Sequence, residues 1–262
     1  MSGKLVKLTV FIFIIIFSMQ YNASADDSAP DQDKTADDST SVQDAVNRDR
    51  ELLMKLMSQT RLPDPEVKDL EFEIGENPVE GDKSAQLIIV QFSDYSCHHC
   101  ALFTKDTYPE IVKNYVDTGR LRYVVVDYPL PDNLPAVRAS EASHCASEQG
   151  KFREMHEEIM YDQESLDDIN SMAASIGLDM ERFNACMESK KYEPVVNENI
   201  ELGTKLKIPS VPNFIIARID PENPKKVKGI TYIRGAKPYE YFRLEIDKAL
   251  AGLADSKKSP ED

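Results

Sequence analysis

The chain has 262 residues, 31 basic and 46 acidic side chains, and a formal net charge of −15. So acidic a surface repels polyanions, which excludes nucleic acid and anionic lipid as natural partners. Four cysteines are too few for a small disulfide scaffold, and the length suits one large domain with an insertion or two small ones.

Lys4 and Lys7 precede an apolar run at 8–17, and Ala23-Ser24-Ala25 offers a cleavage site before Asp26. Residues 1–25 therefore read as a signal peptide cleaved near Ala25. The run is short for a membrane span, so an uncleaved anchor is the weaker alternative. Export implies a compartment where disulfides persist, here a periplasm. Residues 26–40 are mostly Asp, Ser, Thr, Ala and Gln, with little to bury, and read as an acidic linker. The stretch 41–62 carries a helix at 41–59, where Ser41 with Asp44 resembles a capping box and Val42, Val46, Leu53 and Met57 share a stripe. Two readings stay open for it: a helix packed on its own domain, or a dimerisation helix joined through Pro63 and Pro65. Asp49 and Arg50 interrupt the stripe, which argues against a long coiled coil.

The pattern turns compact in residues 63–255, with 256–262 as a tail. Residues 71–74 alternate like an edge strand, 75–83 read as a turn region, and 86–92 form a nearly all-apolar strand, as expected when both faces are covered. Cys97-His98-His99-Cys100 follows and opens a helix at 101–115 that Pro109 should kink. A second strand occupies 121–128, and Pro129, Pro131 and Pro135 stop it. Helices at 136–149, 152–160, 165–176, 179–187 and 195–206 fill an insertion at about 131–207, punctuated by Gly150, Gly177 and Pro194. Strands return at 213–218 and 230–234, the cluster Lys225-Lys226-Val227-Lys228 between them reading as a solvated turn. A last helix covers 239–253. The order β-α-β, helical block, β-β-α predicts an α/β protein: a thioredoxin fold with an inserted helical domain.

Cys97 and Cys100 carry the chemistry. Residues at i and i+3 of a helix face the same way, so the two sulfurs can close a small ring. The first turn of a helix has free N–H groups and the positive end of the dipole, which favour the reactive thiolate. Structural zinc needs four tetrahedral ligands, and no second C-x-x-C exists to supply them. Copper(I) suits the reduced dithiol and remains an alternative. Cys145 and Cys186, on two helices of the insert, read as a structural disulfide in an exported protein, with two buried free thiols as the other reading. His144 and His156 read as packing or surface residues, and Met172, Met180 and Met187 as core filling.

Three segments give the chain a resemblance to the DsbA-like bacterial thiol–disulfide oxidoreductases. They are Gln91 to Cys100, Ile208-Pro209-Ser210-Val211-Pro212-Asn213-Phe214, and Glu141 to Ala146 followed by Gln149-Gly150-Lys151-Phe152. The resemblance implies Cys97 as the exposed nucleophile and Cys100 as its buried partner. It implies that His99 stabilises the Cys97 thiolate, with His98 in place of the proline more usual there. Pro212 matches the family's cis-proline, and Val211 would meet the substrate backbone. Relatives often carry a buried Glu where this chain has Gln91; an amide cannot relay a proton by ionising, so Asp94 or water would have to substitute, although Asp94 reads more simply as a turn residue. The implied activity is disulfide formation or exchange in cysteine-containing exported proteins, without a cofactor. The implied partner is a membrane oxidase of the DsbB type or an equivalent. The alternatives are a dimeric disulfide isomerase, with a homodimer through 41–59, and a copper(I)-binding or holding chaperone.

Overall fold

The computed structural model describes residues 64–130 and 132–256. The signal peptide, the acidic linker and the helix expected at 41–59 lie outside the described residues. Elements follow in the order β1 (Glu71–Glu73), β2 (Val79–Glu80), β3 (Leu87–Ser93), α1 (His98–Asp106), α2 (Tyr108–Ile111), a π-helical turn (Val112–Val116), β4 (Arg122–Asp127), α3 (Leu134–Ser147), α4 (Phe152–Tyr161), a 3-10 stretch (Gln163–Asp168), α5 (Ile169–Ser175), α6 (Met180–Ser189), α7 (Glu193–Lys205), β5 (Asn213–Ile219), β6 (Lys226–Arg234) and α8 (Tyr239–Ser256).

The strands make one mixed sheet in the order β1-β6-β5-β3-β4-β2. Central β3 pairs parallel with β4 and antiparallel with β5. Every residue of β3 and β4 is buried, which explains their lack of alternation in sequence. One face of the sheet, with Leu87, Ile89, Val125 and Phe214, packs on Phe103 of α1, Tyr108 of α2 and Phe242 of α8. The opposite face, with Ile88, Val90, Phe92 and Val126, packs on Val67, Leu206 and Ile208. The inserted helices bury their own cluster, in which Met155, Ile159, Met172 and Phe183 meet Tyr95 and Cys100 of the active-site segment. That contact is what seats the insert over the C-terminal end of β3. Glu80 of β2 ties the two parts at another edge: it accepts the Tyr108 hydroxyl at 2.5 Å and pairs with Arg153 of α4.

Several boundaries differ from the sequence reading. The helix expected at 101–115 begins at His98, breaks at Thr107 ahead of Tyr108-Pro109, and ends in a π turn. The interruption expected from Pro109 thus falls at Thr107, and Pro109 sits in the first turn of α2, where its missing N–H costs nothing. Pro194 lies in the first turn of α7, which begins after α6 has ended at Ser189, so it does punctuate the two helices. The helix expected at 165–176 is split into the 3-10 stretch and α5, with Asp168 capping α5 through Ser171 N–H. The turn region at 75–83 contains β2, which pairs with β4. The Lys225-Lys226-Val227-Lys228 cluster is not a turn: Lys226, Val227 and Lys228 form the start of β6 and pair with β1. Val227 is buried between the two more exposed lysines, as a pleat requires. Gly229 is needed there, because a Cβ would lie 2.1 Å from the Val67 carbonyl oxygen.

Candidate active site

The loop after β3 is built by Asp94. Its Oδ1 accepts the N–H and the hydroxyl of Ser96, both at 2.8 Å, while its carbonyl accepts the Cys97 N–H at 3.0 Å. This is the turn role read for Asp94 from sequence. Two groups from the insert hold the same loop. Asn133, the N-cap of α3, donates through Nδ2 to Ser96 Oγ at 2.8 Å. Gln163 donates through Nε2 to the carbonyls of Tyr95 (2.6 Å) and Cys97 (3.1 Å).

Cys97 is the N-cap of α1, and its sulfur accepts the Cys100 N–H at 3.3 Å. Cys97 is half-buried and Cys100 fully buried, both as free thiols. The Cys97 pKa is lowered from an ordinary 9.0 to about 7. The Cys100 thiol directed at it is the largest cause, assisted by the N–H groups of Cys100 and His99; burial and the Asp94 charge oppose the shift. Burial, together with the adjoining Cys97, pushes the Cys100 thiol far up. One sulfur of the pair is therefore a ready thiolate and the other a protected thiol.

His98 and His99 are both exposed, their rings 6.1 Å apart and tilted. The backbone N–H of His99 is among the groups that lower the Cys97 pKa. The peptide bond between Val211 and Pro212 is cis, and the Val211 carbonyl lies 3.7 Å from the Cys97 sulfur, which donates to it. The structure thus brings Cys97, Cys100, Val211 and Pro212 together, while Cys145 and Cys186 are joined by a disulfide in the insert, with Cα atoms 5.9 Å apart. Among the described residues, no cluster of three or more His, Cys, Asp or Glu side chains is placed to hold a metal ion.

His144 and His156, read as packing or surface residues, are wholly internal. His156 bonds the Tyr95 hydroxyl at 3.0 Å and Thr104 Oγ1 at 3.4 Å, and burial lowers its pKa to about 4, so it is neutral. His144 Nε2 bonds Asp127 Oδ2 at 3.0 Å. Gln91 is buried, its Oε1 accepting the Tyr123 hydroxyl at 2.6 Å. Sequence reasoning missed Gln163, Asn133 and the Asp127–His144 pair. A lone carboxylate closing an apolar strand, and a histidine in an Ala- and Ser-rich helix, were the available signals for the pair; Gln163 gave none.

A thioredoxin family model matches residues 73–233. A Rickettsia prowazekii protein provisionally named a protein-disulfide oxidoreductase is 25% identical over 189 residues, a match spanning 68% of each chain. A Rickettsia bellii protein of the same provisional name is 27% identical over 173 residues, or 61% of this chain and 65% of that one. The chain thus spans about two thirds of the length of these curated relatives. The crystal structure of Wolbachia pipientis alpha-DsbA1 superposes with a TM-score of 0.58 at 26% identity, over 70% of this chain and 95% of that one.

Proposed function

Because the chain belongs to the DsbA-like branch of the thioredoxin family, we propose that it is an exported thiol–disulfide oxidase that forms disulfides in exported proteins through Cys97 and Cys100. One observation carries the reading: a half-exposed sulfur with its pKa lowered to about 7 caps the helix that buries a second, strongly protonated thiol. A substrate thiolate attacks the Cys97 sulfur of the oxidised pair. The Cys97–Cys100 bond breaks, and its electron pair goes to Cys100, which takes up a proton. A second substrate thiolate then attacks the substrate sulfur of the mixed disulfide and expels Cys97 as a thiolate. The substrate loses two electrons and the pair gains them. A low-pKa thiol leaves readily and stabilises the reduced form, so its disulfide is oxidising.

The half-buried Val211 carbonyl beside Cys97 supports a role in pairing with an extended substrate segment, in the manner of an added β-strand. Pro212 fixes that segment of backbone. His98 and His99 line the exposed side of the pair. A membrane oxidase of the DsbB type, or an equivalent, returns the pair to the disulfide; no organic cofactor enters the scheme. The signal peptide read at 1–25 supports a periplasmic location.

Trapping the pair in living cells by acid quench and thiol alkylation tests the oxidase reading. A resting Cys97–Cys100 disulfide is expected. A fully reduced resting pair would favour the isomerase, whose dimer would rest on the helix read from sequence at 41–59. Stoichiometric copper(I) uptake without any thiol exchange would favour the chaperone.

A further inference from the structure

In the dithiol function proposed for Cys97 and Cys100, on which the role inferred for Gln163 rests, Cys97 attacks and leaves as a thiolate. Three donors meet at the carbonyl oxygen of that residue. It accepts the Cys100 N–H at 2.9 Å, the Ala101 N–H at 3.1 Å and Gln163 Nε2 at 3.1 Å. A carbonyl oxygen has two lone pairs, so one donor is in surplus. The Cys100 N–H has another acceptor in reach, the Cys97 sulfur at 3.3 Å. It is shared between the oxygen and the sulfur of the same residue, a three-centre bond at the start of α1.

Gln163 is the donor that comes from outside α1. It opens the 3-10 stretch that follows α4 in the insert. Its amide nitrogen carries a second hydrogen, which goes to the Tyr95 carbonyl at 2.6 Å. Both partners are backbone carbonyls, which only accept, so the nitrogen and not the oxygen of the amide must face them. The insert grips the same loop at two further points. Asn133 Nδ2 donates to Ser96 Oγ at 2.8 Å, and His156 Nδ1 bonds the Tyr95 hydroxyl at 3.0 Å. These two reach side chains of the loop, whereas Gln163 reaches the Cys97 carbonyl itself.

We infer that Gln163 is a positioning residue for the nucleophile: by filling the Cys97 carbonyl from the insert, it releases the Cys100 N–H to the Cys97 sulfur. Gln163 and Ala101 then serve the oxygen, and the shared N–H leans to the sulfur. A thiolate draws it more strongly than a thiol does, because hydrogen bonds to an ionised acceptor are the strong ones. The direction agrees with Cys97, whose pKa is lowered in part by the Cys100 N–H. Without Gln163 the oxygen has one donor fewer, the Cys100 N–H turns back to it, and the thiolate loses part of its support. The seating of the insert thereby enters the reactivity of a sulfur on another element. The titratable groups bearing on that sulfur are Cys100 of α1 and Asp94 of the loop before it, with His98 and His99 exposed at the same helix start. Gln163 adds no charge to them.

The test compares Gln163→Met, which keeps the bulk and loses the donor, with Asn133→Ser, which keeps a capping oxygen for α3 and loses the Ser96 anchor. Two quantities are measured on the full chain: thiolate absorbance against pH, and the equilibrium of the Cys97–Cys100 pair with reduced and oxidised glutathione. Gln163→Met should raise the absorbance midpoint of Cys97. It should also lower the equilibrium constant for reduction of the pair by glutathione roughly 3- to 10-fold, the effect of weakening one hydrogen bond to a charged group. Gln163→Ala should do the same, and decides alone if the Met variant fails to fold. Asn133→Ser should leave both quantities at the parental values. Parental values in the Gln163 variants overturn the inference. So does an equal shift in Asn133→Ser, which would assign the effect to a loosened loop. A parent pair that does not exchange with glutathione at all would instead refute the dithiol function.

Discussion

The Cys97 sulfur accepts the Cys100 N–H at 3.3 Å, so the first cysteine caps the helix that carries the second. A neutral thiol is a weak cap, and a thiolate is a strong one, because the first-turn N–H groups and the helix dipole favour negative charge. Reduction of the pair therefore strengthens the start of α1 and couples redox state to local structure.

Ultraviolet thiolate absorbance of the reduced protein should titrate with a midpoint near 7 for Cys97. Cys100→Ala should raise the midpoint, because the Cys100 thiol is the largest source of the lowering. His99→Ala should move it far less, since the backbone N–H of His99 is kept in that variant. A larger rise with His99→Ala than with Cys100→Ala would put the imidazole ring back at the centre of the site.

Stability should follow the same titration. The Cys97 pKa is depressed in the folded protein relative to its ordinary 9.0, so its contribution is full above 9 and is lost as pH falls through 7. Denaturant unfolding should show the reduced protein gaining on the oxidised protein between those limits by about 1–2 kcal/mol, less than the full shift would give because the sulfur is partly solvated. A gap that stays flat across this window would contradict a stabilised thiolate.

The Cys145–Cys186 bond closes a separation of 41 residues inside the insert. Chain entropy assigns such a loop about 4 kcal/mol of stabilisation. A Cys145→Ala, Cys186→Ala double variant should lose stability of that order. Mild reductants should label only Cys97 and Cys100 with alkylating reagent; equal labelling of all four cysteines would dissolve the distinction between the pairs.

Gln163 donates to the Cys97 carbonyl, which also accepts the N–H groups of Cys100 and Ala101 at 2.9 and 3.1 Å. Gln163→Ala should cost about 1–2 kcal/mol for two lost bonds. Amide hydrogen exchange at Cys100 and Ala101 should quicken while exchange within β3 does not. Unchanged exchange at both positions would leave Gln163 as a surface contact only.

Much of this arrangement was legible in the chain. The apolar run ending at Phe92, followed by Cys97-His98-His99-Cys100, located β3, the active-site helix and both sulfurs, because a doubly covered strand and a dithiol each leave a local signature. The proline motif singled out Val211 and Pro212 by resemblance alone. What sequence hid was non-local or disguised. Lys226 and Lys228 masked β6 because they flank Val227 on a strand next to the edge. Pro109 and Pro194 were legible as an interruption and a boundary, although each lies inside the first turn of the helix that follows, a position sequence alone did not place. The helix start and His99 were both legible as supports of the thiolate, whereas the Cys100 thiol, the largest cause of its lowered pKa, was not. Asp127 meets His144 only because the insert folds back over the end of β4, a contact no local pattern encodes.

The central claim is that disulfides are exchanged through the Cys97 sulfur. Its most direct measurement is mass spectrometry of Cys100→Ala, activated as a mixed disulfide and mixed with a reduced, unfolded cysteine protein. Each adduct should be linked through Cys97, with Cys97→Ser forming none and the parent protein oxidising the same substrate without a lasting adduct. Oxidation of that substrate by Cys97→Ser at the parental rate would contradict the claim.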